Sequence, residues 1–260
     1  VVTPENIDRM AREINDKKSG GTFGLSEDQN MIRDTFKKFA EDTVMPLAEK
    51  IHRHDSMIPA AIINGLKELG CFGLCVPQKF GGFQDDSRPD NMGMILVTEE
   101  LSRGSLGAAG SLITRPEIIS KALLKGGTEE QKQKYLPRLT SGEWIGSFCL
   151  SEPEAGSDAT SQKTTAEDKG DHYLLNGTKN WITNGGSSSL HLVMSQANQE
   201  AGSKGICTFI VDACWNGVSI GNKEDKLGIR SSDTTSIMYN DVIVPKENLL
   251  GPPGDGFKFA

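Results

Sequence analysis

Gly142-Glu143-Trp144-Ile145-Gly146-Ser147-Phe148-Cys149-Leu150-Ser151-Glu152-Pro153-Glu154-Ala155-Gly156-Ser157-Asp158 is the stretch in which the chain changes character. Before Gly142 the apolar residues recur at helical spacing. After it they gather in short β-type runs separated by Gly, Asn, Asp and Ser: Ile145 to Leu150, His172 to Leu175, Leu190 to Ser195, Ile206 to Val211 and Thr235 to Val244. The turn signals between these runs are spaced as in an antiparallel sandwich or small barrel, not as in βαβ units. The fold class expected is therefore α+β, an N-terminal all-α helical domain followed by an antiparallel β-barrel or sandwich domain.

Working back toward the N-terminus, Ser26 with Gln29 forms a capping box, and Met31, Ile32, Phe36, Phe39, Ala40 and Val44 follow on one helical face until Pro46 interrupts them. A second helix is expected from Pro59, with Ile62, Ile63, Leu66 and Leu69 on one face and Gly70 as its stop. Asp90 to Arg103 and Glu117 to Lys125 read as two more, the latter after Pro116 and ended by Gly126 and Gly127. Thr128 with Gln131 is a second capping box, opening a short helix limited by Pro137. The expected division is an N-terminal extension (1–24), a helical domain (25–142), a β domain (143–250) and a Gly/Pro-rich linker from Gly251 that leads into something further (251–260).

At 260 residues the chain can bury a sizeable core, and 36% hydrophobic with 24% charged residues is the composition of an ordinary globular protein. No apolar run approaches membrane-spanning length. The net charge of -7 argues against a nucleic-acid partner, which would need basic surface to displace counterions. Five cysteines without a C-x-x-C pair fit neither a disulfide framework nor a zinc site, so a reducing, cytoplasmic setting is expected. Val1 to Ser19 has no apolar segment of the secretory kind, and a removed transit segment stays open because the first residue is not Met.

No G-x-G-x-x-G follows a strand and no G-x-x-x-x-G-K-[ST] occurs, so a nucleotide cofactor has to be held by other means. His52 and His54 flank an arginine and do not read as metal ligands, and no metal site is expected. His172 and His191 read as structural histidines in strands. Ser157 lacks a G-x-S-x-G frame. The polar loop from Phe148 to Asp158 is different: strand residues lead into a hydroxyl, a direction-fixing proline, then small residues whose backbone N–H groups can approach a ligand. Downstream, Trp181-Ile182-Thr183-Asn184-Gly185 sets an indole beside a hydroxyl, a pair suited to a flat ring with a polar edge. Taken singly, each also reads as a plain sandwich turn or a core tryptophan.

These two motifs, preceded by Gly127-Thr128-Glu129-Glu130-Gln131-Lys132 and Tyr135-Leu136-Pro137 and followed by Lys226-Leu227-Gly228-Ile229-Arg230, Ser232-Asp233-Thr234, Asp241-Val242-Ile243-Val244-Pro245 and Gly254-Asp255-Gly256-Phe257, resemble the acyl-CoA dehydrogenases from about residue 26 to the end. The resemblance implies FAD as cofactor, lined by Phe148, Cys149, Leu150, Ser151, Gly156 and Ser157. Ser151 would meet the flavin's pyrimidine edge, while Trp181, Ile182 and Thr183 would lie against the isoalloxazine, with Thr183 near N5. Ser157 would also reach the substrate, and Ser195 matches a substrate-contacting position. Leu101, Leu106 and Ile113 are candidate acyl-pocket residues. Ser151 stands where the family often has Thr, and Glu154 replaces a common Gly, which leaves the turn geometry open.

The activity implied is removal of the α proton of an acyl-CoA thioester by a carboxylate, with hydride passing to the flavin. Hydrogen bonds to the thioester carbonyl would help, each worth about 3 kcal/mol in other enzymes. By the resemblance residues 251–260 would be the truncated start of a C-terminal helical domain, and the family's base glutamate, in either of its two known locations in that domain, would lie beyond Ala260, so no catalytic residue is assigned within the chain. The resemblance further implies an electron-transfer flavoprotein as acceptor, a homo-oligomer when full length, and a mitochondrial matrix location if the source is eukaryotic. Two other readings stay open: a non-catalytic flavin or acyl-CoA binding module completed by a partner, and a flavin oxidase or monooxygenase on the same fold.

Overall fold

The structure is a computed structural model that describes residues 24–86 and 90–259, together with Thr3, Pro4, Glu5, Ile7, Asp8 and Arg12; the side chains of residues 114–116 are not described. The Ser26 capping box forms as read, with Ser26 Oγ accepting from the Gln29 N–H and the Gln29 side chain accepting from the Ser26 N–H, and it opens α1 (Glu27–Phe39). Pro46 does not end the helical path. A π turn at Ala40–Val44 resets the ladder, and Pro46 falls in the first turn of α2 (Met45–Arg53), where a missing N–H costs nothing. α3 (Ala60–Glu68) ends at Gly70, whose φ of +67° is the left-handed cap expected of it.

α4 (Met92–Ser105) is joined through a second π turn, Leu106–Gly110, to α5 (Ser111–Gly126). α5 thus starts five residues before Pro116, earlier than the sequence pattern indicated, because Leu112 and Ile113 are buried in its first turn and hold the segment helical. α6 (Glu129–Thr140) likewise runs past Pro137, with Leu136 and Leu139 both fully buried on either side of the proline. The helical layer closes over Phe36, Val44, Ile62, Leu66, Val97, Leu101, Leu112 and Ile113. Each such side chain stabilises the fold by roughly 2 kcal/mol relative to exposure.

Among the described residues eight strands form one sheet: β1 (Gly146–Cys149), β2 (Thr165–Asp168), β3 (His172–Thr183), β4 (Leu190–Gln196), β5 (Ile206–Asp212), β6 (Val218–Lys223), β7 (Thr234–Pro245) and β8 (Leu249–Leu250). The order is β6-β7-β3-β2-β4-β5-β8, with β1 beside β4, so the sheet stays open, with β6 and β8 as its ends. It is mostly antiparallel, but β1 runs parallel to β4, and one β2–β4 pairing is parallel too. Two strands had no legible pattern: β2 has two exposed positions among its four, and β6 has no buried position at all.

β4 and β5 are buried on both faces. Leu190, Leu192 and Ile210 pack against Ile119, Leu123, Leu136 and Leu139 of α5 and α6 and seal the helical layer to the sheet. The alternate residues Val193, Phe209 and Val211 join Tyr173, Leu175, Val242 and Val244 in the interior of the curled sheet. That double burial gives both strands near-continuous apolar runs.

Candidate functional site

β1 delivers the chain to the polar loop with alternate residues in and out: Cys149 is buried, while Phe148 and Leu150 are half-buried. Burial pushes the Cys149 thiol up to about 12, which removes it from any nucleophilic role at neutral pH. Ser151 is half-exposed, and its carbonyl accepts from the Asn180 N–H at 2.8 Å. Glu152 and Ala155 then exchange two backbone hydrogen bonds, 3.0 and 3.2 Å, around Pro153 and Glu154. Glu154 is not among the residues with positive φ, so this turn has no need of the glycine that the resemblance placed there. Gly156 and Ser157 are exposed, and a Cβ added to Gly156 would meet nothing within 4 Å, so the backbone there faces open space.

Thirty residues on, β3 is deformed. Lys179 pairs with Ile237 and Ile182 pairs with Thr235, so two residues of β3 oppose one of β7 in a bulge. Trp181 sits in it with φ of +60°, a left-handed conformation that costs a bulky residue about 1 to 2 kcal/mol, and its side chain is 58% exposed. An aromatic held out of the core by a strained bulge is the opposite of a core tryptophan. Thr183 follows two residues later. Ser147 Oγ donates to its carbonyl at 3.0 Å, and β7 flanks it at Thr234, so its position is fixed from both sides. Among the described residues none bonds to the hydroxyl of Ser151 or Thr183, which leaves both free for a ligand's polar edge.

Sequence reasoning missed what ties these two segments together. Lys179 and Glu152 are buried, and Lys179 Nζ donates to Glu152 Oε1 at 2.7 Å, to the Leu150 carbonyl at 3.1 Å and to Gln162 Oε1 at 3.1 Å. The Glu152 carboxylate also accepts from the backbone N–H groups of Lys163 and Thr164. Burial works against both charges. For Glu152 it is outweighed by the hydrogen bonds from Lys179, Thr164 and Lys163, so its pKa is lowered; for Lys179 burial prevails and lowers the pKa in spite of Glu152. Gly177, with φ of +149°, lets this loop close on β3, since a Cβ there would sit 2.5 Å from Thr164 Oγ1.

Phe148, Leu150, Ser151, Gly156, Ser157, Trp181 and Thr183 all carry exposed or half-exposed surface, and Cys149 and Ile182 support them from within. Ser195 lies elsewhere. It is fully buried within β4, opposite Cys207, and its hydroxyl has no partner, so it faces the sheet interior and no ligand surface. Leu101 and Ile113 belong to the helical core, while Leu106 is 46% exposed on the second π turn. A cavity of about 430 Å³ lined by Thr128, Gln131, Lys134, Tyr135, Lys246 and Asn248 shares no residue with the Ser151–Trp181 wall, which is an open face.

Two family descriptions match this architecture: the acyl-CoA dehydrogenase N-terminal domain over residues 26–143 and the acyl-CoA dehydrogenase middle domain over residues 147–242. The chain belongs to the acyl-CoA dehydrogenase family. It is 38% identical over 239 residues to a short-chain specific acyl-CoA dehydrogenase of Clostridium acetobutylicum, covering 92% of this chain and 62% of that one. Among solved structures it resembles butyryl-CoA dehydrogenase from Megasphaera elsdenii, with a TM-score of 0.86, 34% identity and coverage of 91% of this chain and 61% of that one. It also resembles an acyl-CoA dehydrogenase from Bacillus anthracis complexed with FAD, with a TM-score of 0.80, 35% identity and coverage of 91% and 40%. The chain therefore spans about three-fifths of the curated acyl-CoA dehydrogenase it matches.

Proposed function

We propose that the Ser151–Trp181 wall holds the isoalloxazine of FAD, and that the protein to which this chain belongs removes two hydrogens from an acyl-CoA thioester. The single observation that carries this reading is Trp181: exposed, strained, and close in the fold to the unpaired hydroxyls of Ser151 and Thr183. Residues of the wall fit the group. The indole covers one face of a planar ring and keeps water from it. Ser151 and Thr183 present hydroxyls to the ring's polar edge, and the exposed backbone at Gly156 and Ser157 offers N–H groups to phosphate oxygens. FAD bound here supplies the hydride acceptor, and the chain's part is to orient and shield it.

Proton removal is assigned to no residue of this chain. Glu152 is held by Lys179 and the loop backbone, and Asp158 is engaged with the Thr160 and Ser161 hydroxyls, so neither is free to act as a base. The two domains are proposed as residues 25–142 and 143–250. By the same resemblance, an electron-transfer flavoprotein is proposed as the acceptor and a homo-oligomer as the working form. Ser195, buried as it is, is not retained as a substrate contact.

Anaerobic mixing of the complete natural protein with a panel of acyl-CoA thioesters tests the reading. Bleaching of the flavin's visible absorbance by at least one thioester is expected. A purified protein that neither carries nor takes up FAD contradicts the cofactor assignment. Rapid oxygen consumption during turnover in air would instead favour an oxidase.

A further inference from the structure

A lysine in the middle of a twelve-residue strand ordinarily lies on the solvent face. Lys179 has no exposed surface. Replacing a buried ion pair by apolar side chains of similar volume is generally neutral or stabilising, so stability alone does not account for a charge at this point in β3. What the pair adds over an apolar contact is direction, since each hydrogen bond fixes one segment at one distance from another.

The segments it fixes are the two halves of the wall. The Lys179 ammonium holds Leu150 and Glu152, the residues on either side of Ser151, while the Asn180 N–H holds the Ser151 carbonyl itself. Trp181 is the next residue along. Two successive residues of β3 thus grip three successive residues of the loop immediately before the bulge turns the indole outward. Glu152 also draws in Lys163 and Thr164, and Gln162 reaches Lys179, so the excursion from Pro153 to Gln162 is closed at its base.

We propose that Lys179 is a positioning residue for the flavin site: its clamp on Leu150, Glu152 and Gln162 sets the distance between the Ser151 hydroxyl and the Trp181 indole, and with it the fit of the ring. This rests on the flavin reading above. Lys179 touches neither cofactor nor substrate and acts only through the two residues it spaces.

The experiment replaces the pair by apolar residues, Lys179→Met with Glu152→Leu, in the complete natural protein. It reads three quantities: the unfolding temperature without flavin, the FAD dissociation constant, and the visible circular dichroism of bound FAD. The double variant is expected to unfold at or above the parent's temperature, yet to bind FAD about tenfold more weakly or worse and with an altered visible spectrum, by analogy with the loss seen when the outer supports of a metal site are removed. A double variant with the parent's stability, affinity and spectrum would overturn the proposal. Should it fail to fold, Gln162→Ala, which keeps both charges and deletes one acceptor, takes its place. Weaker binding at an unchanged unfolding temperature then supports the clamp, and unchanged binding contradicts it. A parent protein that binds no FAD defeats the flavin reading itself and the proposal with it, an outcome distinct from equal binding by parent and variant.

Discussion

The helical layer and the sheet bury very different chemistry. The helical core of Phe36, Leu66, Val97, Leu101 and Ile113 is an apolar cluster, with a few buried polar groups such as Glu100, Ser120 and Gln131 elsewhere in the helices. The sheet buries Glu152, Gln162, Lys179, Asn184, His191, Ser195 and Asp233, several of them wholly. Apolar packing tolerates many sequences, whereas buried polar groups demand specific partners at specific distances. The contrast teaches where this molecule is built for precision: the sheet's polar interior lies behind the wall formed by Ser151, Trp181 and Thr183, and the helices supply mass and closure.

The comparison can be broken most forcefully at Lys179. Lys179→Met alone strands a buried carboxylate and should lower stability by roughly 4 kcal/mol, a loss that adding Glu152→Leu should fully restore. Chemical denaturation of the parent and the two variants measures this, and a single variant as stable as the parent would mean that the pair is not buried as described. Leu101→Ala in the helical core should cost about 3 kcal/mol by leaving a cavity, with no second change that repairs it by removing a charge. Denaturation of the parent and this variant at fixed pH checks the figure.

His191 offers a test by pH. Burial lowers its pKa to about 4 from an ordinary 6.5, and its Nδ1 faces the Tyr239 hydroxyl at 3.1 Å. Because the folded value is depressed, the unfolded chain binds a proton that the folded one resists between these pH values. The neutral ring's contribution is therefore complete above about 6.5 and is lost as pH falls toward 4. The loss amounts to about 3 kcal/mol at the acid end. His191→Gln should flatten that part of the stability profile, and an unchanged acid limb would contradict the assignment. Trp181→Gly should be smaller and opposite in sign, a gain of up to about 1 kcal/mol from relieving the left-handed backbone, accompanied by loss of FAD affinity. Ser26→Ala, which removes a helix cap far from the sheet, should cost about 1 kcal/mol and leave FAD affinity untouched.

Much of the helical layer was legible because its signals are local. Both capping boxes, the Gly70 stop and the apolar faces lie within a few residues of one another. Pro46 and Pro116 misled for a reason equally physical: π turns and burial let the chain carry a proline that an isolated helix would not. In the sheet the decisive partners are far apart in sequence. Lys179 meets Glu152 from 27 residues away, and nothing in Asn176-Gly177-Thr178-Lys179 distinguishes it from a lysine facing solvent. The bulge at Trp181 is set by pairing across to Thr235 and Ile237, so the local sequence alone could not tell the exposed, strained indole from a core tryptophan, and only the resemblance set it against a flavin. Ser195 was assigned to substrate by the resemblance alone, and the continuous burial of β4 sets its hydroxyl inside the sheet, which no local signal could have told.

A crystal structure of the complete natural protein with FAD bound is the most direct test of the central claim. It should show the isoalloxazine against the Trp181 indole, with the Ser151 and Thr183 hydroxyls within hydrogen-bond distance of the ring's polar edge and Lys179 still clamped on Glu152 behind them. A flavin seated away from Trp181, for instance in the cavity between Thr128 and Asn248, would contradict it.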